Sequence, residues 1–163
     1  MALTKLLSGG VDLTENFLFT GRLAGDIPHG IAVHDGSTSF NGTVRIQGLD
    51  SSLSSSDVTI STANNRLTPT VAGNYICGAI HSFNGSGSTG YTPTVYLRKN
   101  GSSFHNLQGI ENYAGSHNET SCIIGLASFN GSTDYLETAH THNAGTTMTS
   151  NNKGRTFMFR ISD

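Results

Sequence analysis

Thr94-Val95-Tyr96-Leu97-Arg98-Lys99-Asn100-Gly101-Ser102 decides the fold class. Val95 and Leu97 share one face at a spacing of two, the period of a half-buried strand. Asn100-Gly101 then supplies two residues that tolerate positive φ, as a type I′ hairpin turn requires. The same pattern continues along the chain in both directions. Thr43-Val44-Arg45-Ile46-Gln47 puts Val44 and Ile46 on one face. Residues 75–80 and 122–129 are more continuously apolar and are expected to lie deeper. In the last strand Phe157, Phe159 and Ile161 are expected to point into the core, with Arg160 outward.

Asn41-Gly42, Asn84-Gly85 and Asn130-Gly131 are further turn signals, each after a phenylalanine (Phe40, Phe83, Phe129). The residues around them do not repeat, so they mark similar turn chemistry rather than propeller blades. Residues 49–72 form the main stretch long enough for a sizeable helix, but the serine-rich run 51–56 and Pro69 spoil it. The expectation is an all-β chain of about eight to ten antiparallel strands.

Composition agrees. Gly 20, Ser 20, Thr 20 and Asn 14 among 163 residues favour turns and strands over helix interiors. That argues against a helical bundle or an α/β nucleotide-binding fold. With 9 Lys+Arg, 11 Asp+Glu and only 12% charged positions, a polyanion binder driven by bulk charge is excluded, so no nucleic-acid partner is expected. The length suits one domain. The best N-terminal apolar run, Leu3 to Leu7, is broken by Thr4 and Lys5 and stopped by Ser8-Gly9-Gly10, so neither a signal peptide nor a membrane anchor is expected. Cys77 and Cys122 sit in apolar strand-like runs and are read as two small buried hydrophobes, with a disulfide left open. Synthesis in a reducing cytosol follows.

Residues 1–26 differ from the domain expected over 27–163. Leu3, Leu6, Leu7, Val11, Leu13, Phe17, Leu18 and Phe19 are scattered among Gly, Thr and Asn without sustained alternation. An apolar arm that cannot form its own core must pack on something: its own domain, a neighbouring subunit or another protein. Leu3, Leu6, Leu7, Phe17, Leu18 and Phe19 are therefore the candidate assembly residues.

Catalytic and metal patterns are weak. His140-Thr141-His142 would place two imidazoles on one strand face with Glu137 nearby, but no third ligand stands at a recognisable spacing. These are read as surface histidines that hold no metal. His105 and His117 fall in presumed loops. Gly85-Ser86-Gly87-Ser88 is a flexible loop rather than a nucleophile elbow. The carboxylates Asp50, Asp57, Glu111, Glu119, Asp134 and Glu137 are scattered. No enzyme activity and no cofactor are expected. Sequons at Asn41, Asn84, Asn100, Asn118 and Asn130 are close to what the Ser and Thr content produces by chance. Exposed Tyr, Asn, Ser and Thr loops could bind a glycan weakly.

From about Arg66 onward, the order of signals resembles the jelly roll shared by the complement globular-head and tumour necrosis factor families. Leu67-Thr68-Pro69-Thr70-Val71-Ala72-Gly73-Asn74-Tyr75 is similar to the superfamily's approach to a central strand. Val95 to Gly101 looks like its strand and Lys-Asn-Gly hairpin. Ser121 to Leu136 looks like a long apolar strand, a polar turn and a strand with an early aromatic, and Thr156-Phe157-Met158-Phe159-Arg160-Ile161 like the terminal aromatic strand. The resemblance implies a compact jelly-roll sandwich that closes a three-fold homotrimer. The chain shows no collagen-like stalk and no residues matching the families' calcium sites, so their immune roles are not carried over.

Met1-Ala2-Leu3-Thr4-Lys5 and the Gly, Ser, Thr and Asn richness also resemble small virion proteins of tailed bacteriophages. The implied function is a trimeric capsid decoration or cement protein, anchored to the major capsid protein or another virion protein by its arm. Such a protein is assembled in the host cytoplasm and resides in the virion. The alternative is a receptor-binding tip or short fibre that recognises a host surface glycan through the loops at 84–92 and 105–118. A secreted cytokine-like module is a third reading, weakened by the missing signal peptide.

Overall fold

The computed structural model describes residues 27–36, 39–40, 42–87, 92–108, 115–143, 148–151 and 153–163. The candidate arm residues Leu3, Leu6, Leu7, Phe17, Leu18 and Phe19 lie outside them. The described residues are all-β: thirteen strand segments and no helix. Ten of the thirteen are at least four residues long. The surplus over the expected number consists of the short segments β2 (Ser39–Phe40), β3 (Arg45–Ile46) and β12 (Met148–Ser150).

Two antiparallel sheets form a sandwich. In the first, β4 (Leu49–Ser56), β1 (His29–His34), β13 (Arg155–Ser162) and β7 (Gly73–Gly87) lie side by side. β10 (Gly115–Phe129) pairs with β7, and β12 links β7 to β2. The second sheet runs β5 (Val58–Ser61), β6 (Arg66–Pro69), β11 (Leu136–His142), β8 (Pro93–Lys99) and β9 (Ser102–Gln108), with β3 beside β11. From β6 onward the chain passes repeatedly between the sheets, an order compatible with a jelly roll. The helix-poor stretch 49–72 supplies β4, β5 and β6.

The core lies between the sheets, where Leu67, Tyr75, Cys77, Ala79, Phe83, Val95, Leu97, Leu136 and Met158 are fully buried. Val95 and Leu97 face inward together, as their spacing predicts. The Tyr75 hydroxyl donates to the Val71 carbonyl at 2.7 Å, and its ring meets Phe129 edge-on at 5.5 Å. This satisfies the polar end of a side chain whose body fills the core. Gly73 has φ of 150°, and a Cβ there would collide with the Ser162 carbonyl and the Arg160 side chain.

The Asn100-Gly101 turn has φ of 52° and 80°, as a type I′ hairpin demands. Asn100 is also a clamp: its amide donates to Asp134 Oδ1 at 2.7 Å, and its oxygen accepts from the Tyr135 N–H at 3.0 Å. Asn130 organises its own turn by accepting the N–H groups of Ser132, Thr133 and Asp134, each at 3.0 Å. Asn84-Gly85 is not a turn. It lies inside β7, opposite Asn118 and His117, because the long pairing with β10 outweighs local turn preference.

Three strand phases differ from expectation. In β13 it is Thr156 and Met158 that face the core, at 1% and 0% exposure; Phe157 and Phe159 are half-buried on the opposite face and Ile161 is exposed. Residues 157–159 are all apolar, so either phase gives an apolar face; the two aromatics fit outside, where the Phe157 ring occupies the space that Gly78 leaves open. Around β3, Val44 is exposed while Gln47 is buried, its amide donating to the carbonyls of Asp35 at 3.2 Å and Gly48 at 3.0 Å. Residues 122–129 are not buried throughout: Ile123 and Phe129 face inward, whereas Ile124 and Leu126 are more than half exposed.

The phase of β13 yields a direct test. Met158→Ala should cost about 2–5 kcal/mol by opening a core cavity, whereas Ile161→Ala should stay within about 0.5 kcal/mol. Urea denaturation of the two variants measures both.

Candidate interaction face

Strand register assembles an apolar patch on the outer side of the seven-stranded sheet. Reading across β1, β13, β7 and β10, one row is Ile31, Phe157, Gly78 and Ile124. The next is His29, Phe159, Ile76 and Leu126, and the third is Val33, Arg155, Ile80 and Cys122. Eight of these twelve positions carry Ile, Val, Leu or Phe, and Arg155 alone is permanently charged. Ile124 and Leu126 are 57% and 65% exposed.

The rings on this face are ordered by their neighbours. Phe157 and Phe159 have centroids 5.9 Å apart, and His29 stacks on Phe159 at 5.9 Å with planes 16° apart. His29 Nδ1–H donates to the Ile27 carbonyl at 2.8 Å, which leaves Nε2 to accept the Ser54 hydroxyl at 2.9 Å. Chemically the face offers mainly dispersion and desolvation. It is suited to covering by another apolar surface.

The histidines singled out by sequence lie elsewhere. His140 and His142 do share one face of β11, but they are buried, at 0% and 3% exposure, and are not surface residues. The correction has a structural cause: β11 lies in the interior of its sheet, between β6 and β8, with residues 136–140 all buried. There His140 joins a cluster invisible to sequence spacing, because its members come from three strands and both sheets. His34 and His81 meet edge-on at 4.6 Å, and His81 and His140 at 5.4 Å. Phe83 closes the group, 5.4 Å from His140.

His34 Nε2 and Thr156 Oγ1 are hydrogen-bonded at 2.8 Å, and Thr156 in turn contacts the Thr138 hydroxyl at 2.9 Å. Both ring nitrogens of His81 lack a hydrogen-bond partner among the described residues. Burial, reinforced by neighbouring histidines and by Arg155 at His34 and Arg45 at His140, pushes His34 and His140 down to about 3. His81 is also held well below its ordinary value, burial again coming first. Among the described residues no group of three His, Cys, Asp or Glu is arranged to hold a metal ion.

Other sequence candidates are dispersed. Glu137 pairs with Arg98 at 3.0 Å and Asp134 with Lys99 at 2.8 Å, so each of these carboxylates is neighboured by a cation. Burial raises Glu137, with Arg98 and Arg66 opposing it, while hydrogen bonds from Lys99 and Asn100 lower Asp134. Cys77 is buried and its thiol is pushed up to about 12, whereas Cys122 is exposed; both are free. His105 lies in β9 rather than a loop. The side chains of His117 and Glu119, residue Glu111 and residues 88–91 fall outside the described residues, while residues 84–87 of the expected loop are in fact the end of β7, held in register by β10.

The histidine cluster sets a pH dependence. Because the folded state holds these imidazoles neutral, the unfolded chain binds more protons below its ordinary histidine value of about 6.5, and stability falls as pH falls. For His34 and His140 the loss continues down to about pH 3, where the folded groups would themselves protonate. Each neutral histidine adds a slope of about 1.4 kcal/mol per pH unit in that window. His81→Leu should therefore flatten the acid limb of a denaturation series by one such increment, measured by urea midpoints between pH 7 and 4.

No protein-family model matches this chain, and no curated protein does either, so the sandwich and its outer face are what bear on function.

Proposed function

We propose that this chain is a non-enzymatic structural module, a homotrimeric jelly roll related to the complement globular-head and tumour necrosis factor families, held to a larger assembly by residues 1–26. The specific reading is a bacteriophage capsid decoration or cement protein bound to the major capsid protein or another virion protein.

One observation carries the assembly role: the outer sheet face is apolar along the strand that the arm leads into. Residue 26 joins the sandwich at Ile27, which is 57% exposed, and the Pro28 carbonyl accepts the Arg160 N–H at 2.9 Å. A cleft there is lined by Ile27, Pro28, Arg160, Ile161, Ser162 and Asp163. A segment carrying Leu3, Leu6, Leu7, Phe17, Leu18 and Phe19 thus continues from a corner where Ile27, Pro28 and Ile161 stand beside the Arg160–Asp163 ion pair. Three such arms on one trimer would act with avidity, since the second and third engagements are intramolecular.

Deleting residues 2–19 should leave the domain folded and its oligomer intact while abolishing incorporation into particles. Light scattering reads the first half and a particle-incorporation assay the second. A deletion variant that still decorates particles would favour the alternative, a receptor-binding tip attached through another surface; copy number per particle, high for decoration and low for a tip, separates the two independently.

A further inference from the structure

We propose that acid opens this sandwich at one end before it unfolds the rest: the two sheets part around His34, His81 and His140 while the opposite end stays packed. The inference goes beyond the proposed function and does not depend on it.

Two features set this end apart. The first is what fills it. His34, Gln47, His81, His140, His142 and Ser150 are all buried here, whereas Leu67, Tyr75, Leu97 and Leu136 fill the far end. The second is how it is closed. Among the described residues β12 pairs with β7 only through Thr149 and Ser150, and β3 with β11 only through Arg45 and Ile46. Three main-chain bonds complete the seal: the N–H groups of His34, Gln47 and Asn151 donate to the carbonyls of Gly154, Thr138 and Ser82 at 3.1, 2.8 and 2.9 Å. Segments held by so few bonds open locally at lower cost than the long ladders.

Protonation has no outlet while this end is shut. A proton on His81 makes a buried cation with two N–H donors, and neither ring nitrogen has a hydrogen-bond partner among the described residues. The new charge sits 4.6 Å from the His34 ring and 5.4 Å from that of His140. The charged neighbours oppose it: Arg155 of β13 acts on His34, and Arg45 of β3 and His142 of β11 act on His140. Asp35, next to His34, is half-buried, and its main-chain carbonyl accepts the Gln47 and Ser150 side chains at 3.2 Å each. β12 brings no titratable group. On β10, Ser121 stands opposite His81 and Glu119 opposite Phe83 in register, the side chain of Glu119 lying outside the described residues. Water is what can receive the added N–H groups, and the lightly closed end admits it first. Opening there also uncovers Phe83 and Met148, at 0% and 1% exposure when shut, so acid presents an apolar surface that neutral solution conceals.

Amide hydrogen exchange of the full chain, followed residue by residue by NMR and corrected for the intrinsic effect of pH, tests this. Each imidazole that gains a proton on opening raises the opening constant about ten-fold per pH unit below its ordinary value. Between pH 6 and pH 5 the amides of His34, Gln47 and Asn151 should therefore lose protection by about ten-fold or more. Those of Thr70, Asn100 and Arg160, which donate to Asp57, Tyr135 and Pro28 at the far end, should keep theirs. His81→Leu should divide the loss by about ten, one proton fewer being taken up. Equal loss at both ends means global unfolding and overturns the local opening, and loss at neither end overturns the acid response. Undiminished loss in a folded His81→Leu protein removes His81 as the trigger. The wild-type comparison of the two ends decides the proposal even where the variant fails to fold.

Discussion

The ladder between β7 and β10 runs from Gly73 opposite Phe129 to Gly87 opposite Gly115 without a register shift. Along its other edge β7 holds β13 over residues 74–80 and then β12 at 83–84. One strand therefore sets the phase of three neighbours, and a slip of one residue would exchange every inward side chain for an outward one. Tyr75, Cys77, Ala79 and Phe83 are inward and fully buried, while Ile76 and Ile80 are outward and partly exposed. Gly73 and Gly78 hold the ladder close to β13, at points where the Arg160 and Phe157 side chains leave no room for a Cβ.

That phase also explains the cost the core accepts. His81 follows Ile80 and His34 follows Val33, so the alternation that turns the aliphatic members outward turns the imidazoles inward, where they meet His140 from the opposite sheet. A buried polar atom without a partner costs about 1–3 kcal/mol, and His81 has two such nitrogens among the described residues. The hydroxyl relay from His34 through Thr156 to Thr138 offsets part of this by tying the two sheets together in the interior. A core built this way is stable only while its imidazoles stay neutral.

Where sequence contrast was strong, the fold was legible. Val95 and Leu97 stand out against Thr94, Tyr96 and Arg98, and Asn100-Gly101 demands one turn type, so strand, phase and hairpin all follow. The phase of β13 was not legible, because Phe157, Met158 and Phe159 give an apolar face either way, and size suggested the wrong one. Asn84-Gly85 has the dipeptide of a turn, yet fifteen paired residues hold it in a strand. The histidine cluster joins positions 34, 81 and 140 through tertiary contacts alone. The apolar face was present in sequence as an unrecognised signal: residues 75–80 and 122–129 read as strands buried on both sides, and in the single chain the outer side is open to solvent.

Face and cluster sit on the two sides of the same strands, and this links whatever binds the face to protonation. Any partner bound across Ile124 and Leu126 would recognise β10, β7 and β13 only in their folded register. Anything that binds the folded state and not the unfolded one stabilises it by mass action. Protons act in the opposite sense, because in mildly acid solution the unfolded chain takes up protons that the buried imidazoles refuse. The two equilibria share one folded state, so anything bound to the outer face would hold the histidines neutral to lower pH, and acid would weaken that binding even though no member of the cluster lies on the face. An apolar exterior on β7 and a histidine-bearing interior on the same strand thus make one coupled device out of a single alternation.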